Sequence, residues 1–499
     1  MTTPPEPPAT IILANAVSFT VGNDFLTITD DRPARRRRRT RQSCCGLLSL
    51  RGDPSPSHQI DLYAVLNAHH SHNTLVISYV AHHTDDKAHL DILQYRTNSH
   101  DDPRIQEWTT HLLTLAYGCA QPHKRLKILI NPFCTGAATK YRHSAAPILL
   151  AAACQIDLEQ TQYRGHAGLI AEHLERSRYD AVVCCSGDGL PHEVFNGLAR
   201  RPDAVRALTS LAVAMLPCGS GNAMAWNLLG TGSVARAALA IVKGVTVPLD
   251  LMSVTQGDAH SVSFLSQSLG VLAESDLRTE HLRWMGDSRF LLGVVQTIAR
   301  QTAFPCELAF KTVSQGGGSI PRHFDAGVAA AAAAPTKATL GSFEPTVASS
   351  AAREAASEPG KARLVLKYGT VQNELPPDWA VISGERLASF YASKMAIVAK
   401  DTQFFPAALP NDGLLDVMTI DETIGYAGAV EAIVKLPGGR CYELAKVHMR
   451  KVLAYRLSPR ASEGWISVDG ERYPFEPFQV EVHQGLGRVL ARSLHTYQV

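Results

Sequence analysis

The chain is short of charge, and shorter still of any excess of one sign. Charged residues make up 19% of its 499 positions, and 48 Lys+Arg against 46 Asp+Glu leave a formal charge of +2. No global field therefore draws it to nucleic acid. It also lacks a long apolar run. The longest, residues 145–154, is interrupted by Pro147 and falls well short of the roughly 20 residues needed to cross a bilayer. Its ten cysteines include no CxxC pair and no metal-ligand spacing, and the doublets Cys44-Cys45 and Cys184-Cys185 are sequence neighbours. Reduced, intracellular thiols are expected rather than a disulfide framework or a zinc site. The opening Met1-Thr2-Thr3-Pro4-Pro5 shows no basic stretch leading into an apolar one, so no secretory leader is expected. What the chain has is 45% hydrophobic content over a length that suggests two or three domains.

Three textures follow one another. Residues 1–120 alternate apolar and polar positions in short runs, such as 11–21, 59–66 and 74–81, and predict a small antiparallel β module. After the last run, Asp101 and Asp102 precede Ile105, Trp108, Leu112 and Leu113 at helical spacing, which predicts a closing helix. Strands followed by one Trp-bearing helix loosely resemble a pleckstrin-homology domain. From Lys124 to about residue 250, continuous apolar runs (126–130, 181–185, 211–216) alternate with helical stretches, the pattern of an α/β domain around a parallel sheet. Residues 251–499 return to β-like runs and predict a second, mostly β, sandwich-like domain. Residues 312–361 hold Gly316-Gly317-Gly318, alanines 329–334 and little large apolar material, which predicts a disordered insertion.

Three strand-to-loop junctions carry the chemistry. The apolar run 181–185 enters Ser186-Gly187-Asp188-Gly189, with Pro191 placed where a first helical turn tolerates a missing N–H. Glycines there let backbone approach a ligand, and a helix start favours an anion. An acid at such a spot calls for a metal ion or for a proton to accept; an Asx turn or helix cap is the alternative reading. A second run, 211–216, enters Pro217-Cys218-Gly219-Ser220-Gly221-Asn222, which is neither a Walker A loop nor a complete GxGxxG. A third, 126–130, enters Asn131-Pro132-Phe133-Cys134-Thr135-Gly136. In an open parallel sheet such junctions gather at the carboxyl ends of the strands, where ligands bind.

Ser186-Gly187-Asp188-Gly189-Leu190-Pro191-His192-Glu193 and Leu216-Pro217-Cys218-Gly219-Ser220-Gly221-Asn222-Ala223 resemble the two nucleotide motifs of sphingosine kinases, also called long-chain base kinases, a branch of the diacylglycerol kinase catalytic superfamily. The resemblance continues through residues 266–290 and Val468-Asp469-Gly470-Glu471. It implies an ATP- and Mg2+-dependent lipid kinase that phosphorylates the primary hydroxyl of sphinganine, sphingosine or phytosphingosine. Asp188 would be the general base. Asn131, Pro132, Phe133, Thr161, Ser186, Gly187, Gly189, Glu193, Gly219, Ser220 and Gly221 would line the nucleotide site, with Arg283 and Arg289 on its phosphates. Asp276 and Ser266 would meet the lipid, and Asp469, Gly470 and Glu471 would return to the nucleotide, with magnesium near Asp469. Phosphoryl transfer needs positioning and charge neutralisation more than covalent participation, which suits this set. One departure and several alternatives stand beside it. Phe133 through Thr139 carries side chains where the family has glycines, which keeps a catalytically impaired lipid-binding homologue open, as well as diacylglycerol or ceramide kinases. An NAD kinase would follow its Gly-Asp-Gly turn with Thr, where Leu190 stands here.

Arg35 through Arg39 and Arg41 form a basic run directly before Cys44-Cys45-Gly46-Leu47-Leu48. Acylation beside a polybasic patch supplies the two signals that stable anchoring needs. A cytoplasmic protein recruited peripherally to a membrane (endoplasmic reticulum, Golgi or plasma membrane) is the expectation.

Overall fold

Alternate residues of Val17–Val21 are buried, the period-2 pattern of a strand with one face on a core, and the same pattern recurs through the N-terminal region. The computed structural model describes residues 9–13, 17–31, 41–43, 57–81, 88–98, 102–278, 304–315, 321–322, 325–326, 329 and 364–498. The chain packs as two compact units, one made of residues 1–126, 139–156 and 233–245, the other of 127–138, 157–232 and 246–499. These units divide the chain differently from the three sequence regions, because residues 139–156 and 233–245 pack with the N-terminal module.

In the first unit, β1 (Thr10–Leu13), β2 (Val17–Val21), β3 (Phe25–Asp30) and β5 (Ser57–Asp61) form one four-stranded sheet, in that order. A second is ordered β4 (Arg41–Ser43), β8 (His89–Arg96), β7 (Thr74–Ala81), β6 (Val65–Ser71). All their pairings are antiparallel. Helix α1 (Pro103–Tyr117) follows, started by the Asp102 carboxylate accepting the Arg104 N–H at 3.0 Å and ended at Gly118, whose φ is +52°. Its Trp108 is wholly buried, with its ring 5.8 Å from that of Phe19. Short helices α2 (Ala137–Lys140) and α3 (Ala146–Ala151) come next in the chain.

The second unit is built on one mixed sheet. Strands β9 (Arg125–Ile130), β10 (Gln155–Gln160), β11 (Ala181–Ser186) and β12 (Ala212–Pro217) alternate with α4 (His166–His173), α5 (Gly189–Arg200), α6 (Ala204–Ser210) and α7 (Ala223–Leu229); α8 (Val234–Lys243), next in the chain, belongs to the first unit. Both β11 and β12 are buried at every position, as strands covered on both faces must be. After them come β13 (Val245–Gln256), β14 (Ala259–Ser263), β15 (Ser266–Gly270), α9 (Val271–Arg278), β16 (Phe304–Gln315) and β17 (Ala380–Ser393). A ribbon of β18 (Ile397–Ala399) with β19 (Thr402–Gln403) precedes β20 (Leu415–Asp421), α10 (Gly425–Lys435), β21 (Val447–Pro459), β22 (Ile466–Val468), β23 (Glu471–Tyr473) and β24 (Phe478–Ala491). The sheet runs β10-β9-β11-β12-β24-β21-β16-β17-β15-β22-β23.

Two expectations are corrected here. The later β region is not a separate sheet: Val213 of β12 pairs in parallel with Val489 of β24, so the α/β part and the β part share one hydrogen-bonded ladder. The insertion does not begin at Thr312, because Thr312, Ser314 and Gln315 pair with Val452, Lys451 and Arg450 of β21. The rest of that stretch lies almost entirely outside the described residues. The core of the β part is largely aliphatic around a few aromatic rings, with the Tyr455 ring 5.1 Å from Phe390 and 5.8 Å from Phe478.

Candidate active site

Three strand ends meet through their backbones. The Asn131 N–H donates to the Cys185 carbonyl at 3.2 Å, and the N–H groups of Cys218 and Gly219 donate to the Ser186 carbonyl at 3.0 and 3.1 Å. Each following loop is then locked from within. The Asn131 side chain accepts the Phe133 N–H at 2.9 Å, an Asx turn that leaves the Phe133 ring 76% exposed. Asn222 accepts from the Gly219 N–H at 3.1 Å and returns a bond to its carbonyl at 2.8 Å. Ser186, itself buried, donates to the Gly187 carbonyl at 2.7 Å. Thr161, buried at the end of β10, holds the Ile130 carbonyl through its N–H at 2.9 Å.

The glycines answer to one another before they answer to any ligand. A Cβ on Gly219 would lie 2.4 Å from the Gly187 Cα, and one on Gly187 would lie 2.7 Å from the Gly221 carbonyl oxygen. Both distances are forbidden, so the loop after β11 and the loop after β12 touch only because neither carries a side chain there.

Asp188 sits between these loops. Its two oxygens accept the N–H groups of Ala223 at 2.9 Å and Met224 at 3.0 Å, the first residues of α7, whose own N-cap Asn222 makes no side-chain cap bond. Glu193 repeats the arrangement for α4. It accepts the Gly165 N–H at 2.8 Å and the Ala167 N–H at 3.1 Å, at a helix whose N-cap, Gly165, has no side chain to offer. Each acid thus satisfies orphan donors at the start of a helix remote in sequence.

Asp469 is a third such anchor. Its side chain is fully buried and accepts the N–H groups of Phe264, Leu265 and Ser266 at 3.0, 3.0 and 2.9 Å, the Ser263 hydroxyl at 2.6 Å and His192 Nδ1 at 2.8 Å. The turn itself places Asp469 and Gly470 at positive φ, +52° and +82°. Burial pulls the His192 imidazole down, but the Asp469 hydrogen bond and charge outweigh it, and the net direction is up. Glu471 pairs with Arg164, and its Oε1 would lie 3.2 Å from a Cβ on Gly189. Ser266 enters through its backbone, donating to Asp469 and accepting its N–H at 2.7 Å. His192, Asn196 and Asn227 are additions that the sequence did not suggest. Asn196 clamps both backbone groups of Val262 at 2.8 Å, and buried Asn227 accepts the N–H groups of Ala396 and Ile397 at 2.9 and 3.0 Å. No pattern in the sequence marks them: the partners of Asn196 lie 66 residues away and those of Asn227 about 170.

Asp276 lies in α9, whose first residues, Val271 and Leu272, line a cavity of about 370 Å³ together with Phe404, Met418, Ala429 and Ile433. Its size suits a small-molecule or acyl ligand, and its walls are mostly apolar, with Ser389, Glu422 and Thr423 among them. Arg283 and Arg289 lie outside the described residues, as do Arg35 through Arg39, Cys44 and Cys45. Among the described residues, no group of three His, Cys, Asp or Glu could hold a metal ion, and no single helix is long and apolar enough to cross a membrane.

Residues 125–254 match the diacylglycerol kinase catalytic domain, and residues 9–118 match a domain of unknown function, DUF7493. Sphingoid long chain base kinase 5 of Saccharomyces cerevisiae is 32% identical over 436 residues, covering 79% of this chain and 62% of that protein. Sphingoid long chain base kinase 4 of Schizosaccharomyces pombe is 29% identical, over 77% of this chain and 79% of its own length, and human sphingosine kinase 2 is 26% identical, over 77% and 75%. The chain therefore spans somewhat less than two thirds of the budding-yeast relative. The strand-end loops and the acids that cap remote helices all fall within or against residues 125–254, the part that matches the diacylglycerol kinase catalytic domain. Over most of its length the chain is similar to proteins named sphingoid long chain base kinases and sphingosine kinases.

Proposed function

We propose that the protein transfers the γ-phosphoryl group of ATP to the primary hydroxyl of a sphingoid base such as sphinganine or sphingosine. The observation that carries this reading is the meeting of three strand-end loops around a fixed Asp188, in a chain whose relatives are named for that substrate class. Bound ATP would supply the phosphoryl group. The half-buried Ser220 and Gly221, and the backbone of Gly187, Gly189 and Gly219, would face the nucleotide. Asp188 would accept the hydroxyl proton on a carboxylate oxygen, its orientation fixed by the Ala223 and Met224 N–H groups, as a general base requires. Thr161, Asn131 and Pro132 would set the loop margin, and Arg283 and Arg289 would neutralise phosphate. Asp276, on a helix that begins at the apolar cavity, would meet the amine of the base while the alkyl chain fills the cavity.

Magnesium fits less well near Asp469. Both of its oxygens already serve five donors, and the side chain is wholly buried, so no direct ligand remains there. Mg2+ would travel on the nucleotide phosphates. The two sheets of the first unit, closed by the Trp108 helix, support a pleckstrin-homology-like reading of that module. Arg35 through Arg39 and an acylated Cys44 or Cys45 would recruit a cytoplasmic enzyme to an anionic membrane. Arg-to-Gln replacement should then halve or further reduce vesicle pelleting at low salt, and unchanged pelleting rejects the loop.

Incubation with labelled ATP and sphinganine, diacylglycerol or NAD decides the substrate class. Label on sphinganine is expected, and transfer only to diacylglycerol or NAD rejects the proposal.

A further inference from the structure

Each of the three junctions brings a cysteine to the same place. Cys185 is the last residue but one of β11, Cys218 opens the loop after β12, and Cys134 lies in the loop after β9. The sulfurs of Cys185 and Cys218 are 3.3 Å apart. The Cys185 thiol also contacts the Ala137 carbonyl at 3.6 Å, and the Cys134 thiol donates to the Cys218 carbonyl at 3.0 Å. Cys185 and Cys218 are buried, while Cys134 is half-exposed. No disulfide is present among the described residues, and no sulfur has a part in the phosphoryl transfer. Contact with Cys218 and burial hold the Cys185 thiol up, well above its ordinary range, so oxidation needs a sustained rather than a fleeting oxidant.

We propose that Cys185 and Cys218 form an oxidation site, which a peroxide converts to a disulfide that disables the nucleotide loops. One thiolate attacks a peroxide oxygen, breaking the O–O bond to give a sulfenic acid and hydroxide, which leaves as water with the thiol proton. The second thiol attacks the sulfenic sulfur, forming the S–S bond and expelling a second water. Two thiols lose two electrons and two protons, and one hydrogen peroxide becomes two waters. Bond formation draws the sulfurs from 3.3 Å to about 2.05 Å. The loops above cannot absorb that movement, because Gly187 and Gly219 already touch through their backbones. The chemical step stands on the sulfur positions alone; its consequence for turnover rests on the kinase reading.

The test treats the full chain with hydrogen peroxide, blocks remaining thiols and maps peptides without reduction. A Cys185–Cys218 cross-link, removed by dithiothreitol, is expected. Phosphoryl transfer should fall by about 100-fold, the scale of a 1 Å misplacement at a reacting site, and return on reduction. Cys185→Ala and Cys218→Ala, each compared with its own reduced activity, should lose this sensitivity. A cross-link through Cys134, Cys184 or Cys119, or oxidation of separate thiols without a link, overturns the site. A cross-link that leaves ATP turnover unchanged, or loss of turnover that persists in Cys218→Ala, overturns the consequence. Peptide mapping requires no catalysis, so its result is distinct from a failure of the kinase reading.

Discussion

The strand-end loops and the apolar cavity hold their shapes by opposite means. In the loops nearly every constraint is a hydrogen bond or a backbone contact: Asp188 on α7, Glu193 on α4, Asp469 on the 263–266 turn, glycine against glycine. The cavity wall between α9 and α10 is mostly aliphatic and aromatic surface. A directional network fixes atoms to a few tenths of an ångström, whereas apolar packing fixes volume and tolerates exchange of similar side chains. That division matches the two halves of the proposed task. A transferred phosphoryl group demands exact placement, and an alkyl chain demands room.

Asp188→Asn should break the first half most severely. It removes the proposed base and turns one cap acceptor into a donor facing an N–H, so kcat should drop by about 100-fold or more, with a modest fall in Tm. Steady-state kinetics and thermal melting measure both, and wild-type kcat would remove Asp188 from catalysis. Gly219→Ala comes next. Its methyl group meets backbone at 2.4 Å, and activity should fall roughly 10- to 100-fold from displaced loops, read as kcat/KM for ATP. On the cavity side, Ala429→Phe should raise KM for long-chain bases about tenfold, while short-chain analogues and ATP are little affected. Asp276→Asn should raise KM for the lipid regardless of chain length. A chain-length effect from Asp276→Asn, or none from Ala429→Phe, would undo the separation of headgroup from tail.

The smallest effect is on pH dependence. Pairing with Asp469 holds the folded His192 above its ordinary value of about 6.5. Its stabilisation is therefore complete below pH 6.5 and is lost as pH rises through the folded value. Melting curves from pH 6 to 9 should show a steeper decline for wild type than for His192→Gln, and parallel slopes would remove this pair as the cause.

Much of this site was legible in the sequence because its motifs are local. Ser186 through Gly189 and Gly219 through Gly221 each follow a buried strand within a few residues, and the structure places both at strand ends. The uses of those residues were not legible. What the motifs do not show is that Glu193 also accepts the Gly165 and Ala167 N–H groups, or that Asp469 closes a turn more than 200 residues earlier. A carboxylate's backbone partners leave no periodicity behind. The shared sheet escaped for a related reason: nothing in Phe478–Ala491 announces that it will lie beside β12 instead of within its own domain.

That pairing bears on how the chain is made. The catalytic sheet borrows its inner neighbour from the far end of the polypeptide, so β12 keeps an open edge until residues near Val489 have left the ribosome. Until then the edge is a template for a wrong partner, and nascent or C-terminally truncated chains should depend on chaperones far more than the α/β portion alone would suggest.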